Sequence, residues 1–590
     1  MRKSLNENKV LIQKSPFWGD LGGLHLKLLT IMFLNCLFVT IGFSANLPTK
    51  SVGETPESKR TQVNQVFQFM QSGTCTAWAD SSKTNATLYL WIPENCKKLR
   101  ALVIMCTNVP EHMLVGHAAI RKVCETNNLG IIWSTPSFMN FRKTTKDGKT
   151  LNMAMEYKTT VNFLQQLLNG LAETSGYDQV ATVPWLPMGE SGHLLMVDAL
   201  MEYSPERCLA GVFIKNNHLP SKNREVPTLV AFGTAQEWGQ DKVDIRTRWN
   251  DVAAAYDGIL KERKQHPNWP LSYIMDGSSG HFDCSEKLAN YFANYIDLAA
   301  KARLSDDGTP RLKPVKIEKG FLADMPVPGH ENHPVTAYSN SKPEAVALPW
   351  FFDKASALEA QSFAAINWKA STQIPAFLND SGKIAPFIFN GISKLTPTDL
   401  GDDGLTFTVK PVMLEKIPAN FTVGAGDKLA KAPGTPVLEW VCGQFKPIGN
   451  NKFRISLDRS WPNTGNNIGV RQQGNDSIRS IFQPCGLTLP KNNSGKPQKI
   501  TFEKIPDVET GTKSIELAAT SDSGLSVEFY VVAGPAIIEN GNLIFTKIPP
   551  KAKFPVVVTV AAWQWGRANE PKIKMAEIVK QKFNILKKSN

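Results

Sequence analysis

One serine carries the clearest chemistry in this chain. Positions 183–197 read Val-Pro-Trp-Leu-Pro-Met-Gly-Glu-Ser-Gly-His-Leu-Leu-Met-Val, an apolar run, then Gly189-Glu190-Ser191-Gly192-His193, then a second apolar run. That order predicts a strand, a sharp turn and a helix. A turn of this kind lifts a serine Oγ above the end of a sheet, and small residues such as Gly189 and Gly192 let strand and helix approach closely. The amide just after the serine, that of Gly192, would then face a reacting oxygen at a helix N-terminus, where negative charge is favoured. The chemistry this arrangement serves is attack by Ser191 on a carbonyl carbon. The plain alternative is that Ser191 caps a helix between two turn glycines.

Other side chains suggest less. His112 and His117 lie five apart, which is poor spacing for a shared metal, and there is no CxxC pair or Cys/His cluster. No metal and no cofactor is expected.

The elements that must position Ser191 follow from hydrophobic patterning. Between about 66 and 303, short apolar runs at 87–93, 101–105, 130–134, 183–188, 209–214, 228–232 and 271–275 alternate with helical patterns at 117–127, 153–174, 194–201, 252–264 and 286–302. Strands alternating with helices predict an α/β domain with a mostly parallel sheet and helices on both faces. Residues 304–345 are rich in Pro, Gly, Asp and Lys and read as a connector. Residues 346–497 change character: a short helix at 355–363, then strand-like runs at 387–389, 405–409, 437–441 and 453–457 among turn residues, which predicts a β-rich domain. Residues 498–590 read as a third, smaller β domain with strands near 500–502, 514–518, 525–532, 536–538, 543–545 and 556–563.

Length and charge bound the rest. A chain of 590 residues exceeds a single hydrophobic core, so about three folded units are expected. The 66 Lys and Arg against 53 Asp and Glu give a net charge of +13, but the basic residues are scattered and carry no nucleic-acid motif, so no nucleic-acid partner is expected. Residues 28–43 form an uncharged apolar run preceded by Lys27, with the small residues Gly42, Ser44 and Ala45 at its end. This layout predicts a signal peptide over 1–45, cleaved near Ser44 or Ala45, then a polar linker over 46–65, and hence a secreted or periplasmic protein. At 16 residues the run falls short of the ~20 that a spanning helix needs, and no other run is long enough to span a membrane. Export would permit disulfides; Cys75 with Cys96 and Cys442 with Cys485 are candidate pairs by proximity, whereas Cys106 in an apolar strand reads as a buried thiol.

The strand–Gly189-Glu190-Ser191-Gly192-His193–helix text resembles the nucleophile elbow of the α/β-hydrolase superfamily, whose motif is G-x-S-x-G. Gly189 and Ser191 match it; His193 stands where the last glycine belongs, so its imidazole must find room. The resemblance implies an acid after a later strand and a histidine after the last one. Glu237, in Gly233-Thr-Ala-Gln-Glu-Trp-Gly, is the first carboxylate after the run at 228–232, with Asp241 as the alternative. His281 follows the run at 271–275 in Asp276-Gly-Ser-Ser-Gly-His-Phe-Asp. The resemblance makes His281 the general base and acid, Glu237 the group that orients it, and the amides of Gly192 and of Asn108 or Val109 the oxyanion donors. His193 is expected to be structural, bonded to backbone. Residues 498–586 resemble the immunoglobulin-like modules appended to secreted bacterial carbohydrate-active proteins, which implies a sandwich without chemistry of its own. There Trp563 and Trp565 are either buried core or sugar-stacking surface. Together these resemblances imply a secreted serine esterase acting through an acyl-enzyme, on an ester substrate that could be a decorated polysaccharide. The alternatives are a serine peptidase and a non-catalytic carbohydrate-binding protein on the same scaffold.

Overall fold

The computed structural model describes residues 66–76, 83–139, 142–144, 150–152, 156–215, 218–235, 249–330, 333–388, 392–419, 426–449 and 451–588. The apolar run at 28–43 and the linker at 46–65 lie outside these residues. Among the described residues no helix is long and apolar enough to cross a membrane.

The first segment is built on strands β1 (Phe69–Thr76), β2 (Lys83–Trp91), β3 (Ala101–Met105) and β4 (Leu129–Ser134), a small hairpin of β5 (Arg142–Thr144) and β6 (Thr150–Asn152), and then β7 (Trp185–Glu190), β8 (Gly211–Ile214), β9 (Thr228–Ala235) and β10 (Leu271–Gly280). Eight of them form one sheet in the order β1-β2-β4-β3-β7-β8-β9-β10. β2 pairs antiparallel with both β1 and β4, and every pairing from β4 to β10 is parallel. Successive residues of β3, β4, β7 and β8 are all buried. Neighbouring side chains on a strand point to opposite faces, so these central strands are covered on both. β1 has no counterpart in the sequence reading: its text, FMQSGTCT, is polar and glycine-bearing, and its pairing with β2 holds it on the sheet edge.

Helices α1 (Val109–Val115), α2 (Ala118–Asn127), α3 (Tyr157–Ser175), α4 (Leu194–Tyr203), α5 (Trp249–Gln265) and α6 (Glu286–Arg303) connect the strands. α2 packs on α6, and α3 packs on β1 and α4. Their ends follow ordinary capping chemistry: Ser285 Oγ accepts from the Leu288 amide at 3.2 Å, and α3 stops at Gly176 with φ +77°.

The segment at 304–345 lies against this domain. Residues Phe321–Leu322 pair with Thr336–Ala337 and Trp350–Phe351. Arg263 of α5 is fully buried and donates to the carbonyls of Val346 (2.9 Å), Leu348 (3.0 Å) and Pro267 (2.8 Å), which fastens the chain just beyond it.

Residues 346–497 contain helix α7 (Lys354–Ala364), a four-stranded sheet of Ser393–Leu395, Ile481–Leu487, Asn466–Gln472 and Val437–Cys442, and a three-stranded sheet of Thr406–Thr408, Lys452–Ile455 and Phe445–Gly449. Phe407, Phe445 and Phe453 from one sheet meet Leu438, Ile468 and Val470 from the other in one core. Beyond residue 497, a four-stranded sheet (Val508–Glu509, Val579–Leu586, Val556–Trp563, Glu528–Ala533) and a three-stranded sheet (Ser514–Glu516, Asn542–Phe545, Ala536–Glu539) follow.

Two expectations change at this level. The last segment does not stand apart. Trp563 and Trp565 are buried in the core of the preceding β-rich segment, while Ile500, Phe502, Val531 and Val558 join the core of the α/β segment. The proposed disulfides are not formed: no bond joins Cys75 to Cys96 or Cys442 to Cys485. Cys442 pairs across its strand with Asn467, and Cys485 pairs on the far side of that same middle strand with Ile468, so a whole strand separates the two cysteines.

Candidate active site

Ser191 follows the last residue of β7, with a single 3-10 turn, Ser191–His193, before α4. Its φ is +53°, a left-handed conformation that costs a non-glycine residue about 1–3 kcal/mol and persists only where the surroundings enforce it. Part of the enforcement is Gly189. A Cβ there would collide with the carbonyl of His193 and stand 3.0 Å from Val197 Cγ2. Glycine is therefore the residue that lets α4 fold back onto the strand that delivers Ser191.

The elbow is also braced from α1. Glu111 is fully buried, and its carboxylate accepts from the Glu190 amide (2.8 Å), the Asn108 amide (3.2 Å) and His193 Nδ1 (2.9 Å). Asn108 adds a fourth tie, its Nδ2 donating to the Glu190 carbonyl at 3.1 Å. His193 thus finds room by turning into α1, where its Nδ1 meets the Glu111 carboxylate. Sequence reasoning missed Glu111, although Asn108-Val-Pro-Glu111 has the spacing of a capping box and the structure forms one.

This bracing alters one expectation. The amide of Asn108 donates to Glu111 and that of Val109 to Asn108 Oδ1 at 3.0 Å. Both candidate oxyanion donors of that loop are committed to the helix cap. Gly192 sits within the 3-10 turn that opens toward α4, with its surface exposed.

His281 comes to the serine from β10. Its Nε2 is 2.9 Å from Ser191 Oγ, the reach required for proton transfer. The residue is 7% exposed, and its ring lies edge-on to Phe282 with centroids 4.7 Å apart. β10 is irregular between Asp276 and Gly280, where Thr234 Oγ1 of β9 donates to the carbonyl of Gly277 at 3.0 Å. The Asp283 amide then donates to the Gly280 carbonyl at 3.2 Å and closes a turn with His281 at its head. A second carboxylate, absent from the sequence reading, completes the group: Glu190 Oε1 lies 3.3 Å from His281 Nε2, and its side chain is fully buried. Glu237 and Asp241, the expected orienting acids, lie outside the described residues. Next to this group, Lys215 is buried at the end of β8 with φ +54°, its ammonium donating to Ser279 Oγ and 3.8 Å from Asp276.

The β-rich segment reaches the same end of the sheet. Thr464 Oγ1 is 3.0 Å from His112 Nε2 and 3.3 Å from Thr107 Oγ1, beside the end of β3. Arg471 donates to Asp283 through Nη2 (2.8 Å) and Nη1 (3.2 Å), and to Glu439 through Nε (2.8 Å) and Nη2 (3.1 Å). Burial opposes the charge on Arg471, but the two carboxylates outweigh it and hold the guanidinium well above its ordinary value. Among the described residues, no group of three or more His, Cys, Asp or Glu side chains could hold a metal ion.

No protein-family model matches the chain, and no curated protein matches it. Solved structures similar to it include a siderophore hydrolase from Aspergillus nidulans (9% identity, 39% of this chain and 94% of that one, TM-score 0.27). A poly(aspartic acid) hydrolase from Sphingomonas sp. KT-1 shows 12% identity over 39% of this chain and 98% of that one, with a TM-score of 0.26. An S-formylglutathione hydrolase from Agrobacterium tumefaciens shows 12% identity over 39% of this chain and 94% of that one, with a TM-score of 0.25. At these values the likenesses say nothing of activity.

Proposed function

We propose that this protein is a serine hydrolase of the α/β-hydrolase type that cleaves carboxylic esters through an acyl-enzyme. The observation that carries the reading is the 2.9 Å approach of His281 Nε2 to the Oγ of a serine held in a left-handed elbow. In the reaction, Ser191 Oγ attacks the ester carbonyl as His281 takes its proton. Negative charge collects on the carbonyl oxygen, where the Gly192 amide donates to it. The tetrahedral adduct expels the alcohol, which receives the proton from His281, and water repeats the sequence to release the acid. Glu190 sits beside the imidazolium at the moment it forms, and its negative charge favours that state. Glu237 or Asp241 is the acid that orients the ring, supported by its place after β9.

A secreted or periplasmic location and a polysaccharide ester as substrate belong to the same proposal. They are supported by the apolar N-terminal run at 28–43 and by the two β segments that follow the α/β segment. The likeness of 498–586 to immunoglobulin-like modules is supported by its four- and three-stranded sheets. The test is an ester panel spanning p-nitrophenyl acetate, acetylated sugars, methyl uronates and feruloyl esters, with Ser191→Ala as control. Turnover of at least one ester by the wild type, lost in the variant, is the expected result. Equal rates for both proteins would end the proposal, and turnover of amides in preference to esters would favour a peptidase.

A further inference from the structure

The proposed chemistry places His281 on a short turn after β10, and that turn is tied to a different segment of the chain. Asp283 is two residues beyond His281, and its amide closes the turn onto the Gly280 carbonyl at 3.2 Å. Its carboxylate, 1% exposed, takes a two-pronged contact from Arg471 at 2.8 and 3.2 Å. Arg471 lies on the strand Asn466–Gln472 in the middle of the four-stranded β-rich sheet, and is itself braced by Glu439 on the neighbouring strand and by the face of Phe482, 4.8 Å from its guanidinium. The guanidinium plane matches two carboxylates at once, a geometry that fixes orientation as well as distance.

We infer that Arg471 is a positioning residue for His281: through Asp283 it holds the histidine turn at hydrogen-bond distance from Ser191, so the β-rich segment is a working part of the active site. The inference rests on the serine-hydrolase reading above. A fold needing only attachment between its segments could use apolar contact, as Val441 and Phe482 already provide by joining the core of the α/β segment. A fully oriented guanidinium–carboxylate pair two residues from the base does more. It restricts rotation and translation of the turn, and displacement of a catalytic group by about 1 Å is enough to cost on the order of a hundredfold in rate.

The experiment uses the full chain as wild type, Arg471→Lys, Arg471→Met and Asp283→Ala. For each, the rate of Ser191 modification by a fluorophosphonate is measured from pH 5 to 9, together with kcat and KM for p-nitrophenyl acetate and the thermal midpoint. Arg471→Met and Asp283→Ala are expected to lower kcat and the labelling rate by about ten- to a hundredfold with KM changed less than about threefold. Arg471→Lys, which keeps the charge but loses the fork, is expected to fall between them and the wild type. The acid limbs of the labelling profiles should move in opposite directions. Removing Arg471 leaves the Asp283 and Glu439 carboxylates without their cation and should move the limb up; removing Asp283 takes away one negative charge and should move it down. Should Arg471→Met fail to fold, Arg471→Lys and Asp283→Ala decide the matter. If the folded variants label Ser191 at the wild-type rate, Arg471 has no positioning role although the catalytic reading stands. If the wild type itself takes no label on Ser191, the catalytic reading fails and the inference falls with it.

Discussion

At the scale of single residues, Glu111 and Glu190 decide how the elbow works. Glu111 gathers three donors in a fully buried position. Glu111→Ala would leave those donors unsatisfied, each at about 1–3 kcal/mol, so a loss of at least about 2 kcal/mol in urea unfolding is expected, with activity lost in parallel. A stability within about 0.5 kcal/mol of wild type would show that Glu111 does not brace the turn. Glu190→Gln tests the charge beside His281: removal of one carboxylate at 3.3 Å should lower kcat/KM about tenfold, or about 1.4 kcal/mol of transition-state stabilisation, with little change in unfolding. The serine and the histidine could be read from the sequence because each stands at the end of an apolar strand. Glu190 and Glu111 could not be read as site residues in the same way. One lies inside the elbow motif, where its side chain direction depends on the turn, and the other lies 79 positions from Glu190 and meets it only across the sheet.

Among the elements, legibility followed burial. The expected strand at 101–105 is β3 to the residue, and the expected helix at 286–302 is α6 less its last residue, because a fully buried strand and an amphipathic helix both write their period into the sequence. The strands Asn466–Gln472 and Ile481–Leu487 escaped the reading. Their texts, NNIGVRQ and IFQPCGL, mix Asn, Arg, Gln, Gly and Pro, since the half-buried Arg471 is held by its carboxylate partners and the buried Gln483 is not apolar filling. The strand expected at 387–389 is instead an isolated bridge of Phe387 to Ser393, and residue 389 lies outside the described residues. At this scale the N-cap of α1 makes a separate prediction. Asn108→Ala removes both the cap and the tie to the Glu190 carbonyl, so it should cost about 1–2 kcal/mol in stability and also slow labelling of Ser191. A purely local cap would change stability and leave the labelling rate alone.

On the scale of the whole molecule, the three segments share their cores. Residues from beyond 497 complete apolar clusters begun before 303, and Arg471 joins the β-rich sheet to the His281 turn. Removing everything after residue 345 should therefore yield an insoluble or unfolded product, and the intact chain should unfold without a stable α/β fragment. A soluble, active 1–345 fragment would contradict this and the role given to Arg471. The buried thiols report on the same integrity. Burial pushes Cys96 up to about 11 and Cys124 and Cys208 up to about 12, so at pH 8 they stay protonated and should react with iodoacetamide only after unfolding, whereas the half-buried Cys75 reacts first. The central claim is tested most directly by incubating the folded chain with a fluorophosphonate and mapping the adduct by peptide mass. The account predicts one modified residue, Ser191, with the adduct abolished in His281→Ala; a folded wild-type chain that takes no label, or takes it at another residue, would contradict it.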